Sequence, residues 1–280
     1  MFVAFVVDVI PPFLATAMRF LGAAMIVFLI LFLFKLPKKV TKKQFLNSVI
    51  GGTLFLGLGN GGVSWALQYV DSGYTALLIA AQPLILLIMM WIYNRKPLPL
   101  ASWIGVLLGI MGIFLLVSQN ELISREGQWV GMVVIFGCLL SWGIGSIFVS
   151  QADLPKPFLN SAIQMLTGGI ITGIFSLVLE GTSFDFYSVD SNTWLSLIFL
   201  MVFGSVIAFT AFNYLLTSDV SPEKVSTSTY VNPIIALILG WHFREELITT
   251  QSVIAAVILL SGVYFINTNK LKGRASRKRI

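Results

Sequence analysis

The sequence predicts an all-α polytopic membrane protein built from two inverted five-helix repeats. Three observations carry this expectation. The chain is 57% hydrophobic and 11% charged, with a mean hydropathy of +0.90, so polar side chains are too few to cover a water-soluble surface. Its charges cluster between apolar runs of about twenty residues, the length at which a helix crosses a bilayer. Finally, AAQPLILLIMMW (Ala80–Trp91) returns as YVNPIIALILGW (Tyr230–Trp241), the mark of an internal duplication.

In chain order, spans are expected near 13–34, 45–69, 74–93, 101–117, 129–149, 158–179, 194–216, 225–243 and 252–267. Residues 2–7 are apolar but too short to cross, and MFVAFVVDVIPP lacks the basic start and small-residue cleavage site of a signal peptide. Polar-apolar alternation of the barrel type is absent. Lys35, Lys38, Lys39, Lys42 and Lys43 follow one span, Arg95 and Lys96 another, and Lys270, Lys272, Arg274, Arg277, Lys278 and Arg279 close the chain. If the spans alternate, these segments share one side, which by the positive-inside rule is the cytoplasm. The basic C-terminus is read as an anchor at anionic lipid and not as a nucleic-acid arm.

Aligning Pro83 with Pro233 without a gap pairs Trp91 with Trp241 and Gly112 with Gly262. It also sets Asn60, Ser64 and Gln68 against Thr210, Tyr214 and Ser218. PPFLATAMRFLGA (Pro11–Ala23) matches KPFLNSAIQMLTGG (Lys156–Gly169). The first repeat is therefore placed at 1–118 and the second at 129–269, with a basic cytoplasmic tail at 270–280. Five spans per repeat is an odd number, so the second copy enters from the opposite side. The alignment puts the partner of Ser141-Trp142-Gly143 before Met1. A first helix, largely missing from this chain, is the expected consequence, for ten helices in all.

Polar side chains inside the spans are the candidate binding residues. Asn60, Ser64 and Gln68 are four apart and share a helix face; Thr210, Asn213, Tyr214 and Thr217 do the same on the equivalent helix. Such stripes avoid lipid. They are either interhelical hydrogen-bond glue, at about 0.6 kcal/mol per contact, or the lining of a wet cavity. Pro83 and Pro233 each break a helix at a cost of about 3 kcal/mol, and each follows an amide, Gln82 or Asn232. Thr229 and Tyr230 add hydroxyls before the second proline. Paired interrupted helices point to a transporter site. Arg19 lies two turns inside its span; it faces an anionic substrate group or pairs with Asp8 or Asp71, and its counterpart is the uncharged Gln164. Trp142 is the tryptophan best placed for a cavity wall. His242, the single histidine, and Cys138, the single cysteine, read as packing residues. Gly105, Gly109 and Gly112, like Gly168, Gly169 and Gly173, suit close helix contacts.

Several function classes are excluded or disfavoured. With one cysteine there is no internal disulfide or thiolate cluster. Metal-dependent membrane enzymes need clustered His, Asp or Glu, and no carboxylate sits within a span. No Walker-type phosphate loop occurs. No catalytic residue, metal or cofactor is expected.

PPFLATAMRF, SWALQYVDSGYTALLIAAQPLILLIMMW, SWGIGSIF and VSPEKVSTSTYVNPIIALILGWHFREELITTQSVIAAVILLSGVYFI together resemble the EamA-like branch of the drug/metabolite transporter superfamily. The resemblance covers nearly the whole chain and implies ten helices, inverted repeats, both termini inside and a central cavity. That cavity is implied to be lined mainly by the first, third, fourth, sixth, eighth and ninth helices. It implies export or exchange of small metabolites, often amino acids, by alternating access. Arg19 matches a common arginine of the second helix. Two features depart from the pattern: the first helix, and NRKP (Asn94–Pro97) where a Gly-Glu-Arg type ending is usual. The expected protein is thus a non-enzymatic, multi-pass transporter of a bacterial plasma membrane. Its expected partners are a small solute and the bilayer, with no nucleic acid and an oligomeric state left open, a monomer sufficing. A flippase for a lipid-linked intermediate and a non-transporting scaffold or sensor are the alternatives.

Overall fold

The computed structural model describes residues 2–37, 39–95, 100–118, 127–218, 222–225, 238, 241–242 and 249–277. Among these, every regular element is helical. In chain order they are α1 (Phe2–Val7), α2 (Pro12–Leu33), α3 (Lys42–Gly52), α4 (Gly61–Ala66), α5 (Ser72–Ile79), α6 (Gln82–Asn94) and α7 (Leu100–Val117). Then follow α8 (Gln128–Val149), α9 (Pro157–Phe175), α10 (Ser191–Phe199), α11 (Ala208–Leu216), α12 (Pro222–Val225) and α13 (Thr250–Arg277). Five helical stretches are long and apolar enough to cross a membrane: Pro12–Leu33, Ser72–Tyr93, Gln128–Val149, Pro157–Glu180 and Ser191–Leu216. Each coincides with an expected span. Leu100–Leu115 and Thr250–Gly262 are shorter apolar helices at two more of them. Most of the 225–243 span lies outside the described residues.

Local chemistry explains the boundaries. Pro12 and Pro157 occupy the first turns of α2 and α9, where a missing N–H costs nothing. α2 ends in a left-handed residue, Lys35 (φ 49°). Leu36 N–H donates to Leu31 O at 3.1 Å and Lys35 N–H to Phe32 O at 3.2 Å, a Schellman closure. α3 starts at a reciprocal capping box: Gln44 N–H donates to Thr41 Oγ1 and Thr41 N–H to Gln44 Oε1, both at 3.2 Å. Two α-helices continue through wider, π-type turns. Thr53–Asn60 joins α3 to α4, with Gly61 N–H donating to Leu56 O. Leu200–Ile207 joins α10 to α11, with Ala208 N–H donating to Phe203 O. Such turns keep the helix unbroken while adding a residue to the ring.

The span Ser72–Tyr93 carries a join just before Pro83. α5 stops at Ile79, α6 starts at Gln82, and the join is carried by tight i→i+3 bonds: Ala80 N–H to Leu77 O (3.2 Å) and Ala81 N–H to Leu78 O (3.0 Å).

The chain divides into two compact units. The first comprises Met1–Gln68 and Val130–Val225; the second, Tyr69–Trp129 and Ser226–Ile280. Each unit therefore draws segments from both halves of the sequence. In the first, α9 packs along α2 and along α3. Phe20, Val27, Leu31, Phe55, Ile163 and Met165 lie at its centre. Lipid tails are as apolar as these residues, so close contact and hydrogen bonds decide which helix meets which. Gly52 illustrates this: a Cβ there would stand 2.6 Å from the carbonyl oxygen of Gln164. In the second unit α13 lies on α7, where a Cβ on Gly262 would meet Gly105 O at 2.7 Å. Outward faces carry Met25, Phe32, Leu107, Phe114 and Ile170, all exposed, as lipid-facing positions require.

Candidate functional site

The polar side chains of the first unit fall into two groups with different surroundings. One is a closed network between α3, α9 and α11. Asn213 Nδ2 donates to Gln164 Oε1 at 3.0 Å and to Ser161 Oγ at 3.2 Å. Gln164 Nε2 donates to Asn160 Oδ1 at 3.1 Å, and Ser48 Oγ donates to the same oxygen at 2.9 Å. Asn160 Nδ2 completes the ring with Asn213 Oδ1 at 3.4 Å. All five residues are 0% exposed. Each amide thereby meets another inside an apolar bundle, which makes this group interhelical glue in its bonding. Asn160, Ser161 and Ser48 were not foreseen. The readable signal was Asn160, one turn before Gln164 on the same face.

The second group opens on a crevice lined by Arg19, Thr16 and Ser64, with Val3, Val6, Val7, Ala15, Leu197 and Leu200 as its walls. Arg19 is half-buried; its Nε donates to Ser205 Oγ at 2.8 Å, and its guanidinium carbon lies 5.0 Å above the Phe20 ring. Gly204 makes room for it, since a Cβ there would sit 2.9 Å from Nη2. Among the described residues of this unit Arg19 has no carboxylate partner, so the pairing expected with Asp8 is replaced by the Ser205 hydroxyl. Asp71, the other carboxylate considered, belongs to the second unit. Thr16 Oγ1 donates to Pro12 O at 2.7 Å. Sequence spacing missed Ser205 because it lies 186 positions from Arg19.

The remaining candidates are spread more widely. Asn60 Nδ2 turns back to Phe55 O at 3.2 Å, at the end of the π-type stretch. Gln68 lies beyond the end of α4 and is exposed, with Nε2 on Trp65 O at 3.1 Å. The stripe from Asn60 to Gln68 is thus cut short, because the helix stops at Ala66 and not at 69. Thr210 is buried with a hydroxyl that has no hydrogen-bond partner. Its neighbour Tyr214 is 60% exposed, whereas Asn213 is enclosed, so one turn of α11 splits the second stripe between two environments. Trp142 packs on Phe55 and Phe212, with ring centroids 4.9 and 5.2 Å away. Its indole closes on the backbone of Gly59, where a Cβ would not fit. In the second unit Gln82 is buried and neither end of its amide finds a partner among the described residues; the Thr75 hydroxyl, one helical segment earlier, is in the same condition. Thr229, Tyr230, Asn232 and Pro233 lie outside the described residues.

Two other groups bear on the helix ends. Glu180 reaches across to α2, where Oε1 accepts from Phe13 N–H at 2.7 Å and Oε2 from Leu14 N–H at 3.0 Å. These bonds satisfy donors that the first helical turn leaves open. Asp190 caps α10. The Thr193 hydroxyl donates to it, aided by the backbone N–H groups of Thr193 and Asn192, and this holds its carboxyl below the usual aspartate range.

An all-helical chain whose apolar spans enclose amides, hydroxyls and a guanidinium is a multi-pass membrane protein with polar groups inside the bilayer region. Comparison with known proteins narrows the class. The chain belongs to the EamA-like transporter family, which matches it over residues 1–118 and 129–268. It is 31% identical over 263 residues to the uncharacterized inner membrane transporter YedA of Escherichia coli (strain K12), covering 93% of this chain and 83% of that one. It is 26% identical over 261 residues to the uncharacterized transporter YoaV of Bacillus subtilis (strain 168), covering 92% and 88%. A solved crystal structure aligns with a TM-score of 0.68 at 17% identity, over 95% of this chain and 93% of its own, a likeness of fold alone.

Proposed function

We propose that this protein is a secondary transporter that exports or exchanges a small metabolite, an amino acid or similar solute, by alternating access. The observation that carries the reading is the family match across both halves of the chain. The partition of the fold supports it, since each compact unit takes segments from the two halves. That is the pattern a duplicated, inverted architecture produces. In this reading Arg19, Asn60, Ser64, Trp142 and Thr210 approach the solute from the first unit. Gln164 and Asn213 hold the helices behind them. Gln68 and Tyr214 stand at more open positions, and Gln82 and Pro83 are candidates within the second unit taken by itself. Thr229, Tyr230, Asn232 and Pro233 complete the proposal by symmetry. A bacterial plasma membrane is the proposed location, as for the E. coli inner-membrane relative, with the basic C-terminus in the cytoplasm.

The test is uptake and counterflow in proteoliposomes with a panel of labelled amino acids, short-chain monocarboxylates and nucleosides. Saturable flux, accelerated by unlabelled solute on the opposite side, is expected for at least one member. Absence of saturable flux for every solute overturns the transporter reading.

A further inference from the structure

The geometry points to the Arg19 crevice as a subsite for the carboxylate of a small solute, with the solute's hydrocarbon part lying on valine and leucine walls. This names a substrate class for the transporter proposed above and rests on that reading for its role in transport. Arg19 stands about 10 Å along α2 from Pro12, where a cation without an anionic partner is costly. Its Nε is engaged by Ser205 Oγ at 2.8 Å. No hydrogen bond engages Nη1 or Nη2 among the described residues, leaving the edge of the fork that meets a carboxylate in bidentate fashion.

A second donor faces the same space. Ser64 is 4% exposed, lines the crevice, and its hydroxyl makes no hydrogen bond among the described residues. Thr16, by contrast, has already spent its proton on Pro12 O. The crevice therefore offers a cationic fork and one free hydroxyl, a donor set suited to a single negative charge. The rest of the lining is Val3, Val6, Val7, Ala15, Leu197 and Leu200, with no acidic residue among the described ones to receive an ammonium. By its donors and lining this combination matches a short monocarboxylate; the crevice as it stands has about 10 Å³ of room, so binding has to widen it. A dianion would lack donors, and a neutral solute would leave the guanidinium unanswered.

The test uses the full chain in neutral detergent at pH 7 and constant ionic strength. Its thermal midpoint is followed against short-chain monocarboxylates and against their uncharged amides and alcohols. Saturable stabilisation by the carboxylates alone is expected. Arg19→Gln should weaken the apparent affinity by on the order of 10-fold or more, as loss of a charged hydrogen-bond partner does. Arg19→Lys should retain part of it, and Ser64→Ala, which keeps the charge and the fold, should weaken it less. Equal stabilisation by the neutral isosteres, or unchanged affinity in both Arg19→Gln and Ser64→Ala, overturns the subsite. A parallel arm compares nanodiscs of phosphatidylcholine with and without phosphatidylglycerol. Arg19-dependent stabilisation by the anionic lipid, with none by carboxylates, assigns the oxyanion to a headgroup and overturns the solute assignment. Flux separates the two proposals: carboxylate binding without flux of any solute leaves the subsite and removes the transporter, whereas flux without carboxylate-specific binding does the reverse.

Discussion

Replacing Asn213 with leucine removes the hub of the buried amide network while keeping the branching of its side chain, and should destabilise the protein measurably. Three contacts disappear: the donations to Gln164 Oε1 at 3.0 Å and Ser161 Oγ at 3.2 Å, and the acceptance from Asn160 Nδ2 at 3.4 Å. At about 0.6 kcal/mol for each interhelical contact the loss is roughly 2 kcal/mol. Gln164 and Asn160 are 0% exposed, so no water reaches the orphaned groups, and the penalty sits toward the upper end of that range. For a chain of this size each kcal/mol corresponds to roughly 2–4 °C, so Asn213→Leu should lower the midpoint by about 4–8 °C. The assay is thermal unfolding in detergent followed by tryptophan fluorescence, with Tyr214→Phe, one residue along and 60% exposed, as the neutral control. Adding Gln164→Leu should recover about 1 kcal/mol relative to the sum of the two single changes, because one orphan is removed with its partner. A shift no larger than that of the control refutes the reasoning. Full stability with lost flux would instead move Asn213 from the scaffold to the solute.

Three further outcomes follow from the same geometry. Gly52→Ala should cost about 1–3 kcal/mol by forcing α3 from α9, since its Cβ would lie 2.6 Å from Gln164 O and 2.8 Å from Gln164 Cα. Gly137→Ala, with nothing within 4 Å, should be neutral or stabilising by about 0.5–1 kcal/mol, and equal midpoints for the two variants contradict the packing argument. Glu180→Gln keeps the shape but removes the charge at the start of α2, and should lower stability by about 1 kcal/mol; an unchanged thermal midpoint at low salt excludes this role. For Asp190 the folded carboxyl titrates below its unfolded value of about 3.9, so its contribution is present above that value and is lost as pH falls through the folded one. The midpoint difference between wild type and Asp190→Asn should therefore be visible at pH 6 and vanish in strong acid, and a difference independent of pH contradicts the assignment.

Much of the helix pattern was legible because span length and apolarity are direct consequences of bilayer thickness. The join just before Pro83 has a local reason, the absent N–H and the ring. The π-type turns at Thr53–Asn60 and Leu200–Ile207 were not legible, since no residue type demands them. Both fall in the helices that carry the polar stripes, and the turn after Asn60 leaves Ser64 facing the Arg19 crevice. The stop at Ala66 was missed too, which is why Gln68 emerges into the open.

Spacing by itself cannot separate structural glue from a binding surface, because both require polar groups on one helix face. What separates them is whether partners are supplied, and the partners come from elsewhere in the chain. Asn213 meets Gln164 and Ser161, 49 and 52 positions away, and both its amide protons are used. Among the described residues Arg19 donates to one hydroxyl, 186 positions away, and much of its capacity is left. The two residues looked alike as sequence, each a polar interruption of an apolar helix. Inside a bilayer an unfilled donor is expensive, so the position with surplus capacity is where a polar solute gains most by arriving. That asymmetry of supply and demand makes Arg19, more than the fully bonded amides behind it, the place where binding and folding are separable by experiment.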